Sequence, residues 1–452
     1  MNFADKKVLI IGIARSGIAV AKFLKGKGAD ITLTDVKTKA QLGDIIEQLE
    51  EKGFNLILGK QPFISTETYS YIIVSPGVPL SIEPIQRALE EEIPVVSEIE
   101  LAYQFANAPI VAITGTNGKT TTTSLLGETF EKAKFRTLVA GNIGLPLVDK
   151  IEEYGKKDII VAEVSSFQLE AINEFSPRVS IILNVTPDHL DRHGTIEEYT
   201  GIKANIFKNQ SSGDFTVLNY DDPLVRPLVK DAKGSVIFFS QQHTLEEGVY
   251  ASEGKIWAIK EGQKQEVCLV KDLKIPGKHN LENALAATAA AWVLEVDIRI
   301  IAETLKTFSG VSHRLEFVDE INGIKFINDS KGTNPNASIK ALEAYEEPII
   351  LIAGGKNKGS NFAELADKIK DNVKELVLIG ESTPLIKDAV EKIGYDKIYE
   401  AKDYPEAIKK AYEVAKSGDV VLLSPACASW DMFNSYEERG DLFKEVVKDL
   451  RG

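Results

Sequence analysis

Short apolar runs recur along the chain, bounded by glycine, proline and small polar residues and separated by stretches of helical periodicity. Runs of this kind, lacking period-two alternation, read as strands buried on both faces, and strands alternating with helices predict a mainly parallel sheet. In the first region the candidates are Lys7–Ile13, Asp30–Asp35, Tyr71–Val74 and Pro94–Ser97, with a helix running from Ser16 to about Gly26. Next come Pro109–Ile113, a helix over Thr121–Lys132, then Thr137–Ala140, Asp158–Ser166 and Arg178–Val185. The pattern is mixed from Asp214 to Leu269, where Ser252-Glu253-Gly254 predicts a hairpin turn between Val249–Ala251 and Lys255–Ile259. An Ala-rich helix opens near Pro276–Ala284, and a last set of strands follows at Lys325–Asp329, Ile349–Ala353, Glu375–Ile379 and Val420–Ser424. The fold class is α/β, in three regions at residues 1–98, 99–310 and 311–452.

With 44% hydrophobic and 27% charged residues, the 452-residue chain is expected to be soluble and globular. A net charge of -14 argues against nonspecific nucleic-acid binding, so any anionic ligand must find its positive partners locally. Cys268 and Cys427, far apart and in apolar or small-residue surroundings, make neither a disulfide framework nor a thiolate metal site. Lys6-Lys7 before an apolar run imitates a signal peptide, but Gly12 and Arg15 interrupt it and a first strand fits better. The apolar stretch Ala284–Leu294 is too short to span a bilayer, and a cytoplasmic location is expected.

The densest chemistry lies in Gly115-Thr116-Asn117-Gly118-Lys119-Thr120, between an apolar run and a helix. Backbone N–H groups of such a turn and the electropositive helix end cradle phosphate, with Lys119 reaching the terminal phosphates and Thr120 holding Mg²⁺. Ile113 stands where the usual P-loop has its first glycine, which leaves two readings: a β-α turn that carries a lysine, or a shortened P-loop for ATP. Glu163 ends a buried run, where a carboxylate either coordinates Mg²⁺ or caps the helix that starts near Phe167. Asp188 and His189 form a polar cluster at another strand end, Lys203 follows on an amphipathic stretch, and His193 reads as a loop residue. Asn280 and Asn283 share a helical face suited to an adenine edge or to capping. Gly12-x-Ala14-x-x-Gly17 with Asp35 after the next strand imitates a dinucleotide site, although Ala14 would crowd a pyrophosphate.

Taken together, these residues resemble the Mur ligase family over essentially the whole chain. The resemblance is carried by Gly115–Thr120, Glu163–Gln168, Asn184–Asp191, His279-Asn280-x-x-Asn283-Ala284 and His313-Arg314, in the family's order. Asn328–Asn334 and Ser424–Ser429 look like the members that add D-glutamate to UDP-N-acetylmuramoyl-L-alanine. The resemblance implies an N-terminal Rossmann-like domain for the UDP-sugar substrate, a central P-loop ATPase-like domain, and a C-terminal Rossmann-like domain that closes and receives the amino acid. It implies two Mg²⁺ ions, ATP contacts from Gly115 through Thr121 and from Asn280, Asn283, Arg314 and Asp329, and metal contacts from Thr120, Glu163, His189 and Lys203. Lys203 corresponds to the lysine that the family carbamylates, and Lys119, His189 and Lys203 to its catalytic set. Ser16, Asp35, Lys37 and Asn142 match substrate contacts, which replaces the dinucleotide reading. Thr333, Lys358, Ser429 and Tyr436 match the D-glutamate pocket, with Tyr436 where phenylalanine can occur. The partners implied are small molecules acting on a monomer, without nucleic acid or membrane insertion. Rival readings are a nicotinamide oxidoreductase, a P-loop ATPase without an acceptor, or a family member adding another amino acid. The Asp-Asn-Pro-Arg motif of the diamino-acid enzymes does not occur.

Overall fold

The computed structural model describes residues 3–275, 277–357 and 359–451. It is α/β, with sheets of five, nine and six strands. The chain divides into two compact units, Met1–Leu273 with His279–Thr307, and Lys274–Lys278 with Phe308–Gly452.

In the first unit, the five-stranded sheet is wholly parallel, in the order Asn55–Leu58, Asp30–Asp35, Lys7–Ile11, Tyr71–Val74, Val95–Ser97. The strand order reverses beside Lys7–Ile11, which opens a crevice at its C-terminal end. Asn55–Leu58 escaped the sequence reading because it is a half-exposed edge strand, without the run of buried apolar residues that marks its neighbours.

The nine-stranded sheet is parallel through Thr137–Gly141, Ile159–Glu163, Ile110–Thr114, Val179–Ile182, Phe215–Asn219, Ser235–Ser240 and Gly248–Ser252. Lys255–Lys260 and Gln263–Leu269 then complete it as antiparallel strands, the first joined to Gly248–Ser252 by the expected hairpin. At the opposite edge the chain folds back so that the Gly141 N–H donates to the Leu145 carbonyl at 2.8 Å. One apolar core runs beneath both sheets of this unit, from Val8 and Leu24 through Leu101 to Leu147 and Ile160. Buried acids fasten the two sheets together. Glu100 accepts the N–H groups of Asn173, Glu174 and Phe175 at 2.8, 3.0 and 2.9 Å, and Glu98 accepts that of Val148 at 3.0 Å.

In the second unit the order is Glu316–Ile321, Ile324–Asn328, Val420–Leu423, Ile349–Gly354, Val373–Ile379, Ile398–Glu400. All pairs are parallel except the first. The two outermost strands, unread in the sequence, are partly exposed, whereas the expected inner strands are buried on both faces.

Candidate functional site

Ile110–Thr114 is buried along its whole length, with Ile113 opposite Glu163 on one neighbour and Thr114 opposite Ile182 on the other. Parallel pairing brings these strands' C-terminal ends to one edge, where open α/β sheets bind ligands. Ile113 is therefore a ladder residue, and the turn is confined to Gly115–Gly118. Both glycines are required. Gly115 has φ 151° and its missing Cβ would lie 3.0 Å from Leu183 Cβ; Gly118 has φ 84° and would meet Asn283 Oδ1 at 2.1 Å. Gly118 caps the helix Lys119–Lys132 in the left-handed region, so the N–H groups of that helix's first turn open at the strand end.

Neighbouring loops brace the turn. Thr116 N–H donates to the Asn184 carbonyl and Asn117 N–H to Asn184 Oδ1, both at 2.9 Å, and Thr186 N–H donates to Thr116 Oγ1 at 3.0 Å. Lys119 Nζ donates to the Gly115 and Thr116 carbonyls at 2.9 Å each. Thr120 and Thr121 are buried beside it, and Thr122 Oγ1 donates to Asn283 Oδ1 at 3.3 Å. Asn283 in turn donates to Asn280 Oδ1 at 3.2 Å, so this pair supports the phosphate-loop helix from below.

Glu163 is 2% exposed. One oxygen accepts from Asn142 Nδ2 at 2.8 Å, while Oε2 has no hydrogen-bond partner among the described residues. Gly141, at φ 109°, permits this approach, because a Cβ there would stand 2.4 Å from the Glu163 carbonyl. The helix-capping role belongs instead to Ser165, which forms a capping box with Gln168. A buried carboxylate oxygen without a donor is costly, and a divalent cation compensates it. Among the described residues no three His, Cys, Asp or Glu side chains gather to hold a metal. The unpartnered Glu163 oxygen and the Thr120 hydroxyl are the oxygen donors that Mg²⁺ takes, in small number, beside phosphate and water.

Lys203 is 1% exposed, its Nζ donating to the Gly115 carbonyl at 3.0 Å and lying 4.3 Å from the Tyr199 ring centroid. Burial, and behind it the charge of Lys119, holds this amine well below the usual lysine range. His189 is exposed, with φ 52° at the start of the short helix Leu190–His193, and its Nε2 lies 3.6 Å from Asp188 Oδ2. His193, expected in a loop, is buried between the rings of Phe167 and Tyr199, with Ser166 Oγ 3.0 Å from its Nε2. Its Nδ1 lies 3.2 Å from Glu170 Oε1 without the alignment of a hydrogen bond, and burial lowers its pKa.

The sequence reading passed over Arg192. It stacks on Phe167, pairs with Glu170 at 2.5 Å, and donates to the Pro76 and Val78 carbonyls at 3.3 and 2.9 Å. It thereby ties the second sheet's polar loop to a loop of the first. Only its place in the run Asp188–His193 could have marked it. Arg192→Ala leaves Glu170 and two carbonyls without that partner, and is expected to cost about 2–4 kcal/mol of stability, measured by urea unfolding.

At the first sheet's crevice, Asp35 accepts the N–H groups of Ile13 at 2.9 Å and Lys37 at 3.0 Å, which fixes the loops around the half-buried Ser16. Gly12 and Gly17 admit the tight turn: a Cβ on Gly17 would stand 2.1 Å from the Gly12 carbonyl. The Lys37 side chain is exposed.

In the second unit, Asp329 accepts from Ser424 Oγ at 2.7 Å and from Leu315 N–H at 3.3 Å. Burial pushes its carboxyl up to about 7. Arg314 is half-buried on the turn before Leu315. Thr333 follows on the same exit loop, Ser429 is buried after Val420–Leu423, and Tyr436 opens the helix Tyr436–Asp449 with its carbonyl 2.8 Å from Ser330 Oγ. Lys358 lies outside the described residues.

A glycine turn between a buried strand and a helix, with an orphaned acid on the adjoining strand, defines a P-loop nucleotide site. Residues 113–291 match the Mur ligase middle domain, residues 313–427 the Mur ligase glutamate ligase domain, and residues 6–97 the Mur ligase MurD-like N-terminal domain. A UDP-N-acetylmuramoylalanine--D-glutamate ligase of Pelotomaculum thermopropionicum is 54% identical over 450 residues, covering 100% of this chain and 99% of the relative. One of Clostridioides difficile is 47% identical over 453 residues, covering 100% of both. The solved UDP-N-acetylmuramate-alanine ligase of Thermotoga maritima shares the fold, with a TM-score of 0.58 and 22% identity over 98% of this chain and 99% of its own. The chain belongs to the Mur ligase family.

Proposed function

We propose that this chain is an ATP-dependent, ADP-forming ligase that joins D-glutamate to UDP-N-acetylmuramoyl-L-alanine in the cytoplasm, a step in making peptidoglycan precursors. Full-length similarity to ligases of that name supports the substrates. The observation that carries the chemistry is the buried, unpartnered Glu163 oxygen on the strand beside the phosphate turn.

A carboxylate is a poor acyl donor. In the proposed reaction a carboxylate oxygen of the L-alanyl group attacks the γ-phosphorus of ATP, ADP leaves, and an acyl phosphate forms. The neutral D-glutamate amine then attacks the acyl carbon, a tetrahedral intermediate forms, and the C–O bond breaks with its electron pair leaving on phosphate while the nitrogen gives up a proton to solvent. Lys119, released from its own loop carbonyls, balances phosphate charge, and the first-turn N–H groups of Lys119–Lys132 orient the phosphates. Thr120 and Glu163 would hold Mg²⁺, which supplies charge neutralisation at the transferred phosphoryl group. His189 and Lys203 would serve a second ion. Carbamylation needs a neutral amine, and the lowered basicity of Lys203 supports that modification. Asn280, Asn283, Arg314 and Asp329 would contact nucleotide; Ser16, Asp35, Lys37 and Asn142 the UDP substrate; and Thr333, Lys358, Ser429 and Tyr436 the amino acid. Residues 1–98, 99–310 and 311–452 would then divide the work among UDP-substrate, ATP and amino acid, in a monomer.

Phosphate release and product mass, measured with UDP-N-acetylmuramoyl-L-alanine, ATP and Mg²⁺, test this reading. A new amide is expected with D-glutamate and not with L-glutamate, L-lysine or meso-diaminopimelate. Amide with another acceptor would move the chain within its family, and ATP turnover with no amide would sink the ligase reading.

A further inference from the structure

Arg439, on the helix Tyr436–Asp449, is fully buried. A desolvated guanidinium ordinarily needs a carboxylate. Its described partners are instead neutral: Nε donates to Ser330 Oγ at 2.9 Å, Nη2 to the Ser330 carbonyl at 2.7 Å, and Nη1 to the Cys427 carbonyl at 3.2 Å. The Tyr404 side chain also bonds to it. The carboxylate of Asp329 accepts from Ser424 Oγ and Leu315 N–H rather than from Arg439, whose charge acts on it through space.

These contacts converge on the exits of three adjoining strands. Ser330 follows Ile324–Asn328, Cys427 follows Val420–Leu423, and Gly355 follows Ile349–Gly354. A Cβ on Gly355 would stand 2.4 Å from the Ala428 carbonyl and 3.3 Å from Arg439 Nη1, so the third exit is packed against the same guanidinium. Lys356 and Ala428 exchange backbone hydrogen bonds of 2.8 and 3.1 Å, and Ser330 Oγ donates to the Tyr436 carbonyl. One side chain thus sits under every loop that carries a described residue of the amino-acid pocket.

We propose that Arg439 is a positioning and specificity-determining residue for the acceptor, an inference that rests on the ligase reading above. Its rigid fork holds the three exits in register, and its charge, hydrogen-bonded to neutral groups among the described residues with Asp329 acting on it only through space, gives the pocket a positive potential that selects an amino acid with a side-chain carboxylate. A buried charge is weakly screened and acts beyond its own hydrogen bonds. D-Glutamine has nearly the shape of D-glutamate without that carboxylate charge, so the two acceptors separate field from shape.

Steady-state kinetics of the full chain with each acceptor, beside thermal unfolding, test the proposal. Arg439→Met is expected to raise KM for D-glutamate at least about tenfold, leave KM for ATP within about twofold, and reduce the D-glutamate over D-glutamine preference in kcat/KM at least about tenfold. Arg439→Lys keeps the charge and loses the fork, so it should raise KM for both acceptors while retaining the preference. An Arg439→Met enzyme with undiminished preference overturns the inference, as does a purely structural pattern in which both acceptors and ATP suffer equally. If Arg439→Met does not fold, the lysine variant decides: KM for D-glutamate must rise with KM for ATP unmoved. Absence of amide from the unsubstituted chain would sink the ligase reading and this inference together, whereas normal ligation with unchanged selectivity in the variants removes the inference alone.

Discussion

Glu163→Gln is expected to lower kcat for ATP-dependent ligation about 10²–10³-fold, on the order of 3–4 kcal/mol, while leaving the unfolding temperature unchanged or raised. The two effects have one cause. The carboxylate is buried, with one oxygen bonded to Asn142 and the other without a hydrogen-bond partner among the described residues, so the metal-free chain leaves that oxygen's lost hydration uncompensated. An amide keeps the contact with Asn142, whose side-chain amide can turn to present either its donor or its acceptor. It cannot ligate a divalent cation as a carboxylate does. Phosphate release and amide yield measure the first effect, calorimetry without nucleotide the second. A variant that lost stability and kept its rate would mark Glu163 as structural and remove it from the metal site.

The second large effect concerns pH. Glu98 is buried between the two sheets of the first unit, its Oε2 without a hydrogen-bond partner among the described residues, and burial pushes its carboxyl up from 4.5 to about 7, opposed by the Val148 and Leu147 N–H groups and by Arg15. The folded chain therefore binds a proton over a range in which the unfolded chain has released it. The penalty is absent below the unfolded pKa, grows as pH rises, and is complete above about 7. Glu98→Gln retains an acceptor for Val148 and cannot ionise. It should match the parent chain near pH 4 and exceed it at pH 8 by about 3 kcal/mol. Denaturant unfolding at both pH values checks this, and an equal change at both would show that ionisation is not the cause. Glu282 and Asp329, each also raised to about 7 by burial, push stability in the same direction and remain in both proteins.

The inner strands were legible in the sequence because burial on both faces requires continuous apolar runs, as in Ile110–Thr114 and Ile349–Gly354. Edge strands such as Asn55–Leu58 and Glu316–Ile321 carry no such requirement and pass for loops. The phosphate turn was legible for a related reason: its glycines answer to local backbone geometry and to close approach by Leu183 and Asn283. Lys203, Arg192 and Arg439 depend on partners far along the chain. Spacing alone does not reveal that Lys203 meets the Gly115 carbonyl or that Arg439 meets Ser330. Family resemblance supplied Lys203, and only the folded chain revealed the other two.

The hairpin that completes the nine-stranded sheet also bears on solubility. Its outer strand, Gln263–Leu269, carries four exposed polar residues at its start, with Glu266 paired across to Lys255 at 2.8 Å. A charged terminal ribbon resists strand addition from another molecule, which an uncovered parallel edge invites. Behind it, Gly248–Ser252 begins with three buried residues and would offer such an edge if the ribbon were removed. Trimming this segment, remote in sequence from the phosphate turn, would therefore expose the chain to intermolecular β-pairing during synthesis.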